Sequence, residues 1–130
     1  MLRIFKFRGR DTDGIWHYGS LIATPPQEIV LIAENALRDD GLIEVLASTA
    51  SQFTGVSDSA GREIYEGDIV RIQKSDSPVS TLAMVVWSET GASFALVDEK
   101  NSVTNFSAYA TGALTVVGNV FDNPTLMRKP

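Results

Sequence analysis

Residues 52–70 read QFTGVSDSAGREIYEGDIV, from Gln52 to Val70, and two turns punctuate the stretch. In Asp58-Ser59-Ala60-Gly61 the aspartate can accept backbone N–H groups and the glycine can close the turn. Glu66-Gly67-Asp68 offers the same chemistry again. Between the turns, Glu63-Ile64-Tyr65 has room for only a short strand, and Ile69-Val70-Arg71-Ile72-Gln73 reads as a longer one. Gly55, Gly61 and Gly67 are expected at turns, where a side chain would strain the backbone. Ile64, Ile69 and Val70 are natural core residues. Tyr65 can bury its ring and keep its hydroxyl at the edge. Short strands between glycine turns indicate an all-β barrel or sandwich.

The same pattern continues towards the C-terminus. Lys74–Pro78 reads as a loop. Thr81–Trp87 and Ser93–Asp98 form a hairpin around Glu89-Thr90-Gly91. Val103–Phe106 and Leu114–Val117 extend the series, Gly118–Phe121 closes it, and Asp122–Pro130 has the look of a weakly ordered tail. Towards the N-terminus, the chain alternates from Arg3 to Arg10, with Leu2, Ile4 and Phe5 or Phe7 facing one way and Arg3, Lys6 and Arg8 largely the other. Asp11–Gly14 is a turn, and Ile15–Ala23 pairs back as the second half of a hairpin. After Thr24-Pro25-Pro26 two readings stand. Ile29, Ile32, Ala33, Ala36 and Leu37 have helical spacing, but Ile29–Ile32 is also a β run with the Asp39-Asp40-Gly41 turn behind it. The reading adopted is a strand over Glu28–Ala33. Leu42–Leu46 is another short strand, and Ser48–Ser51 a loop or a single helical turn.

At 130 residues the chain is one domain or two small subdomains. The formal net charge is −5, 44% of residues are hydrophobic, and cysteine is absent. A disordered tail, a coiled coil, a disulfide scaffold and thiol chemistry are thereby excluded. No apolar run has the length of a membrane span and no secretory leader is recognisable. The expected setting is a soluble cytoplasmic protein with no membrane partner. The acidic balance argues against broad nucleic-acid binding, although Arg3, Lys6, Arg8 and Arg10 form a local basic strip.

Candidate chemistry is sparse. Asp58, Glu63, Glu66 and Asp68 are the densest carboxylate cluster, but a calcium-loop register anchored on Gly61 would put its first ligand on Val56. Turn capping explains these acids without a metal. A glycosidase-like carboxylate pair lacks any sign of a substrate cleft. His17 is the sole histidine, and no Ser or Cys motif accompanies it as a base would need. No phosphate-binding glycine loop is present. Trp16, Tyr18, Trp87, Phe94 and Phe106 could offer a surface for a peptide or for stacked bases. Filling a core and a subunit interface accounts for them better.

The 52–70 stretch resembles a signature of the YopX family of phage and prophage proteins. Phe53, Thr54, Gly55, Asp58, Gly61, Glu63, Ile64, Tyr65, Glu66, Gly67, Asp68, Ile69 and Val70 all fit it. Phe7-Arg8-Gly9, followed by Trp16, Tyr18, Gly19, Ser20 and Leu21, resembles the family's opening. Val56 and Ser57 depart from the usual Leu-Lys. The resemblance implies a mainly β protein, with an N-terminal β subdomain used for self-association (1–51) and a C-terminal SH3-like small barrel (52–130). It also implies phage or prophage origin, a bacterial cytoplasmic setting and a homo-oligomer. It brings no catalytic residues, cofactor or metal. The expected activity is binding, most simply of a host or phage protein. The alternative is nucleic-acid association through Arg3, Lys6, Arg8 and Arg10 with Trp16 and Tyr18.

Overall fold

A computed structural model describes residues 3–26, 29–34, 41–73, 77–106 and 111–127. The chain is mainly β and divides into two compact units, Met1–Phe53 and Thr54–Pro130. Its strands are β1 (Phe7–Arg10), β2 (Trp16–Ala23), β3 (Val30–Ala33), β4 (Leu42–Val45), β5 (Ser51–Ser57), β6 (Glu63–Tyr65), β7 (Asp68–Gln73), β8 (Ser80–Ser88), β9 (Ser93–Asp98), β10 (Val103–Asn105) and β11 (Leu114–Asn119). Single 3-10 turns occur at Ala47–Thr49 and Thr111–Ala113.

In the first unit, β4, β3, β2, β1 and the start of β5 are hydrogen-bonded in that order. Neighbours run antiparallel, with Phe7 opposite Gly19, Ser20 opposite Ala33 and Ala33 opposite Leu42. Directly opposed residues share a sheet face. Val30, Ile32 and Val45 therefore form a small core with Phe7, Leu21, Ala23 and Ala50 packed against it. Gly9 is required on that face, because a side chain there would overlap Val45. The ambiguous segment is a strand at Val30–Ala33, shorter than the expected Glu28–Ala33. Ile29 precedes the ladder as a bend. The Ala47–Thr49 turn is the helical alternative for its segment. Leu2, Glu28, Ala36, Leu37, the Asp39-Asp40 turn and residues 74–76 of the expected loop lie outside the described residues.

The first strand starts later than expected. Residues 3–6 precede the ladder, which opens at Phe7. Ile4 and Phe5 are therefore exposed rather than inward-facing. Alternation alone cannot bury a residue that has no strand beside it.

In the second unit, the later part of β5 is bonded to β6, and β10, β9, β8, β7 and β11 form an antiparallel sheet in that order. Ile64, Val70, Ile72, Ala83, Val85, Leu96, Leu114 and Val116 make its core, with Val56, Phe94 and Phe106 against it. Trp87 meets Phe94 edge-on at 5.1 Å and stays largely exposed, outside the buried core. The five-stranded sheet is open among the described residues, with β10 and β11 its unjoined outer strands. The ladder of β7 with β11 shifts register between Val116 and Gly118.

Two further expectations are corrected. Gly55 lies inside β5 rather than at a turn, yet its φ is +89°. Thr54 accounts for this kink, since its Oγ1 donates to the Ile64 carbonyl at 2.8 Å and accepts the Val56 N–H across the glycine. The expected weak tail is instead a series of hydrogen-bonded turns up to Met127. Asn119 Oδ1 accepts the N–H groups of Phe121 and Asp122, and Val120 N–H donates to Gly67 O at 2.9 Å.

Candidate functional site

The signature residues of 52–70 come together, but as turn architecture. Asp58 Oδ1 accepts the N–H groups of Ala60 and Arg62, and its Oδ2 accepts that of Val116 at 2.8 Å. Burial alone would raise the Asp58 pKa; the bonds from Val116, Arg62 and Ala60 outweigh it and hold the carboxyl below its ordinary 3.8. Asp68 Oδ2 accepts the Tyr65 N–H at 2.7 Å, and the Tyr65 hydroxyl donates to Glu63 Oε1 at 3.0 Å. Phe53, Ile64, Tyr65, Ile69 and Val70 are buried. Gly61 and Gly67 hold positive φ in their turns, and Glu66 precedes Gly67 in the second one. The aspartates of this cluster thus point their oxygens at backbone donors. Among the described residues, no group of His, Asp and Glu has the arrangement of a metal centre.

The second set of expected residues falls on the β1–β2 hairpin. Arg8 lies opposite Tyr18 and Arg10 opposite Trp16, so these four share one face, away from the small core. The Arg8 guanidinium sits 4.6 Å from the Trp16 ring centroid and that of Arg10 at 5.9 Å, both over the ring. Arg8, a member of the basic strip, is only 5% exposed. It occupies a central strand, flanked by Tyr18 on β2 and Ser51 on β5, and its Nε donates to Ser51 Oγ at 3.4 Å. Such a long side chain buries its stem between neighbouring strands. Arg3 and Lys6 precede the hairpin ladder, which opens at Phe7. Arg3 instead lies over Phe5 at 4.9 Å, and the Lys6 carbonyl accepts the Phe53 N–H.

The same face also carries Ile22, Leu31 and Leu42, with Ser20 and Glu44 among them. Ile22 opposite Leu31, and Ala33 opposite Leu42, carry it across β3 to β4. Tyr18 is 45% exposed, Ile22 48% and Leu42 43%.

His17 lies on the opposite face and has partners that sequence spacing did not reveal. Its Nε2 is 2.8 Å from Asp11 Oδ2 and its Nδ1 2.6 Å from Glu34 Oε1. The bond to Asp11 raises the His17 pKa above its ordinary 6.5; burial opposes this, and Glu34 adds to it. The bond from His17, helped by the Ile15 N–H, lowers that of Asp11 below 3.8. When protonated, the ring donates from both nitrogens to carboxylates and has no lone pair for a substrate proton. It works as a clamp on the hairpin. The turn chemistry of Asp11–Gly14 was the only sign of it in sequence: Asp11 Oδ1 also accepts the N–H groups of Asp13 and Ile15.

Comparison with known proteins agrees with the architecture. A family model described as YopX protein matches residues 6–128. The structure resembles the crystal structure of protein EF1440 from Enterococcus faecalis, with a TM-score of 0.66 and 21% identity over 98% of this chain and 100% of that one. It also resembles the crystal structure of protein yopX from Bacillus subtilis, with a TM-score of 0.62 and 24% identity over 99% of each chain. No curated protein matches the chain.

Proposed function

The chain belongs to the YopX family, and from that premise we propose that it is a phage or prophage accessory protein that works by binding a protein, without catalysis. The observation that carries this reading is the β1–β2–β3–β4 face, which Trp16 and Tyr18 share with exposed Ile22 and Leu42. In this proposal the face lies on a self-association subdomain (1–51), and residues 52–130 act as an SH3-like small barrel that meets a host or phage partner. A five-stranded antiparallel sheet over one core, with a register shift between Val116 and Gly118, supports the comparison with a small barrel. Copies held together would present several barrels at once and raise avidity without tight single contacts. A bacterial cytoplasmic location goes with this reading. No helix among the described residues is long and apolar enough to cross a membrane.

The test combines sedimentation with capture. The wild-type chain is expected to sediment as a homo-oligomer at micromolar concentration, and the Tyr18→Glu, Ile22→Glu pair to sediment as a folded monomer. A tagged wild-type chain should retain a discrete protein from bacterial lysate after nuclease treatment at moderate salt. A wild-type monomer, or capture of nothing beyond nucleic acid, overturns the proposal.

A second reading draws on the juxtaposition of Arg8, Arg10, Trp16 and Tyr18, cations and rings on one face as nucleic-acid binding uses them. Binding through it would fall steeply between low and moderate salt. The burial of Arg8 and the net charge of −5 weigh against it.

A further inference from the structure

The two carboxylates bonded to His17 are held in very different ways. Asp11 belongs to the turn between β1 and β2. Its Oδ1 accepts the N–H groups of Asp13 and Ile15, and its carbonyl accepts that of Gly14. The side chain is 18% exposed, and Oδ2 is left to face His17 Nε2 at 2.8 Å. Glu34 lies just past the end of β3, and its side chain is 45% exposed. Among the described residues His17 Nδ1, at 2.6 Å, is the one partner of that carboxylate. The Glu34 backbone N–H donates to Gly41 O at 3.2 Å, beyond the Ala33–Leu42 pair that ends the β3–β4 ladder. The strand positions around His17 on its side of the sheet carry no charge: Gly9 on β1, Gly19 and Leu21 on β2, and Ile32 on β3. Asp13, in the same turn as Asp11, is exposed, and its side chain is not bonded to the ring. Arg38, Asp39 and Asp40 lie outside the described residues.

We propose that His17 is a pH-operated latch with one releasable arm: protonated, it ties the end of β3 to the β1–β2 turn, and on losing a proton to water it keeps Asp11 and lets Glu34 go. A neutral imidazole has one N–H and one bare nitrogen. One of the two carboxylates must then face a lone pair at hydrogen-bond distance. Asp11 is fixed by the backbone donors of its own turn and cannot back away. Glu34 can swing into water at the cost of a single bond. The remaining proton therefore stays on Nε2, and Nδ1 becomes the bare nitrogen. The opening is local. The β1–β2 turn keeps its bonds in both states, while the β3–β4 end loses its side-chain tie and is left with its backbone bonds. The bond to Asp11, helped by Glu34, raises the His17 pKa above its ordinary 6.5, which sets the transition on the alkaline side of that value. The latch is on the side of the sheet opposite Trp16 and Tyr18 and does not depend on what that face binds.

The test is an NMR titration of the 15N-labelled full chain from about pH 5 to about pH 9. It reads the ring nitrogens of the sole histidine and the hydrogen-exchange protection of single amides. Above the transition the proton should sit on Nε2, with Nδ1 at the shift of a bare nitrogen. Protection of the Glu34 amide should fall roughly fivefold or more through the transition, while that of Gly14 and Ile15 stays within about twofold. Glu34→Gln, a change at an exposed side chain, keeps a partner for either form of the ring, because a carboxamide can accept from Nδ1–H or donate to bare Nδ1. In that variant the amide at position 34 should keep its protection across the range. A proton on Nδ1 above the transition overturns the proposal. So does an equal loss of protection at position 34 and Ile15, which would mean that the whole hairpin loosens, and so does unchanged protection at both. A Glu34→Gln variant that loses protection as wild type does also overturns it.

Discussion

Asp58 and Val116 are 58 positions apart in sequence and joined by one bond, from the Val116 N–H to Asp58 Oδ2 at 2.8 Å. The other carboxylate oxygen closes the turn before β6 through Ala60 and Arg62. One buried side chain thus ties a local turn to the final strand of the second unit, beside the register shift at Val116 and Gly118. A second bond from the same turn, Ser59 N–H to Leu114 O at 2.9 Å, reinforces it. The aspartate that looked like a turn residue in sequence is a long-range fastener in the fold.

Asp58→Ala removes an ionised acceptor with three backbone donors and should cost about 3 kcal/mol in urea unfolding. Asp58→Asn isolates the charge. The folded-state pKa of Asp58 is lowered, so its contribution is present above 3.8 and is lost as pH falls through the folded value. The stability gap between wild type and Asp58→Asn should therefore narrow below pH 3.8. A gap constant across that range would show that the ionised form contributes nothing.

Gly67 and Gly55 separate backbone strain from crowding. Both have positive φ, but a Cβ on Gly67 would lie 2.8 Å from the Phe121 ring, while nothing lies within 4 Å of one on Gly55. Gly55→Ala should cost about 1 kcal/mol, the left-handed penalty alone. Gly67→Val should cost more, about 2–3 kcal/mol. Equal melting temperatures for the two variants would remove the role given to Phe121.

His17 should make stability depend on pH from the other side. Its folded pKa is raised, so the clamp's contribution is fully present below 6.5 and is lost as pH rises through the folded value. Asp11, whose pKa is lowered, withdraws its share only below 3.8. The clamp is therefore complete between 3.8 and 6.5. Wild type should lose stability relative to His17→Asn as pH rises from 6 to 9. Parallel urea midpoints across that range would show that the two carboxylates do not hold the ring.

Ile64→Ala, at a position with no solvent exposure, should destabilise by about 3–4 kcal/mol through lost burial and the cavity left behind. Ile4→Ser should stay within about 0.5 kcal/mol, because Ile4 is already in water. A large effect at Ile4 would mean that the ladder extends before Phe7.

Local chemistry was enough to place much of this chain. Asp58 with Gly61, and Glu66-Gly67-Asp68, turn where their residue types say they must, because a carboxylate and a permissive glycine act within four residues. The strands Trp16–Ala23, Ser80–Ser88 and Ser93–Asp98 are readable from β-rich runs between such turns. The resemblance of residues 52–70 to the YopX signature is likewise a property of the string. Packing decided the rest, because burial and pairing depend on which strand lies alongside. Arg8 and Arg3 have the same residue type in one alternating run, yet Arg8 lies between two strands and Arg3 has none beside it. His17 meets Glu34 only because β3 lies beside β2. The row Ile69–Met84–Val97 exists only because the β7–β8 and β8–β9 registers align three strands. A shift of one residue would send those side chains to the opposite face, since successive strand residues point to opposite sides. Spacing along the chain carries the turns; alignment across the sheet carries the sites.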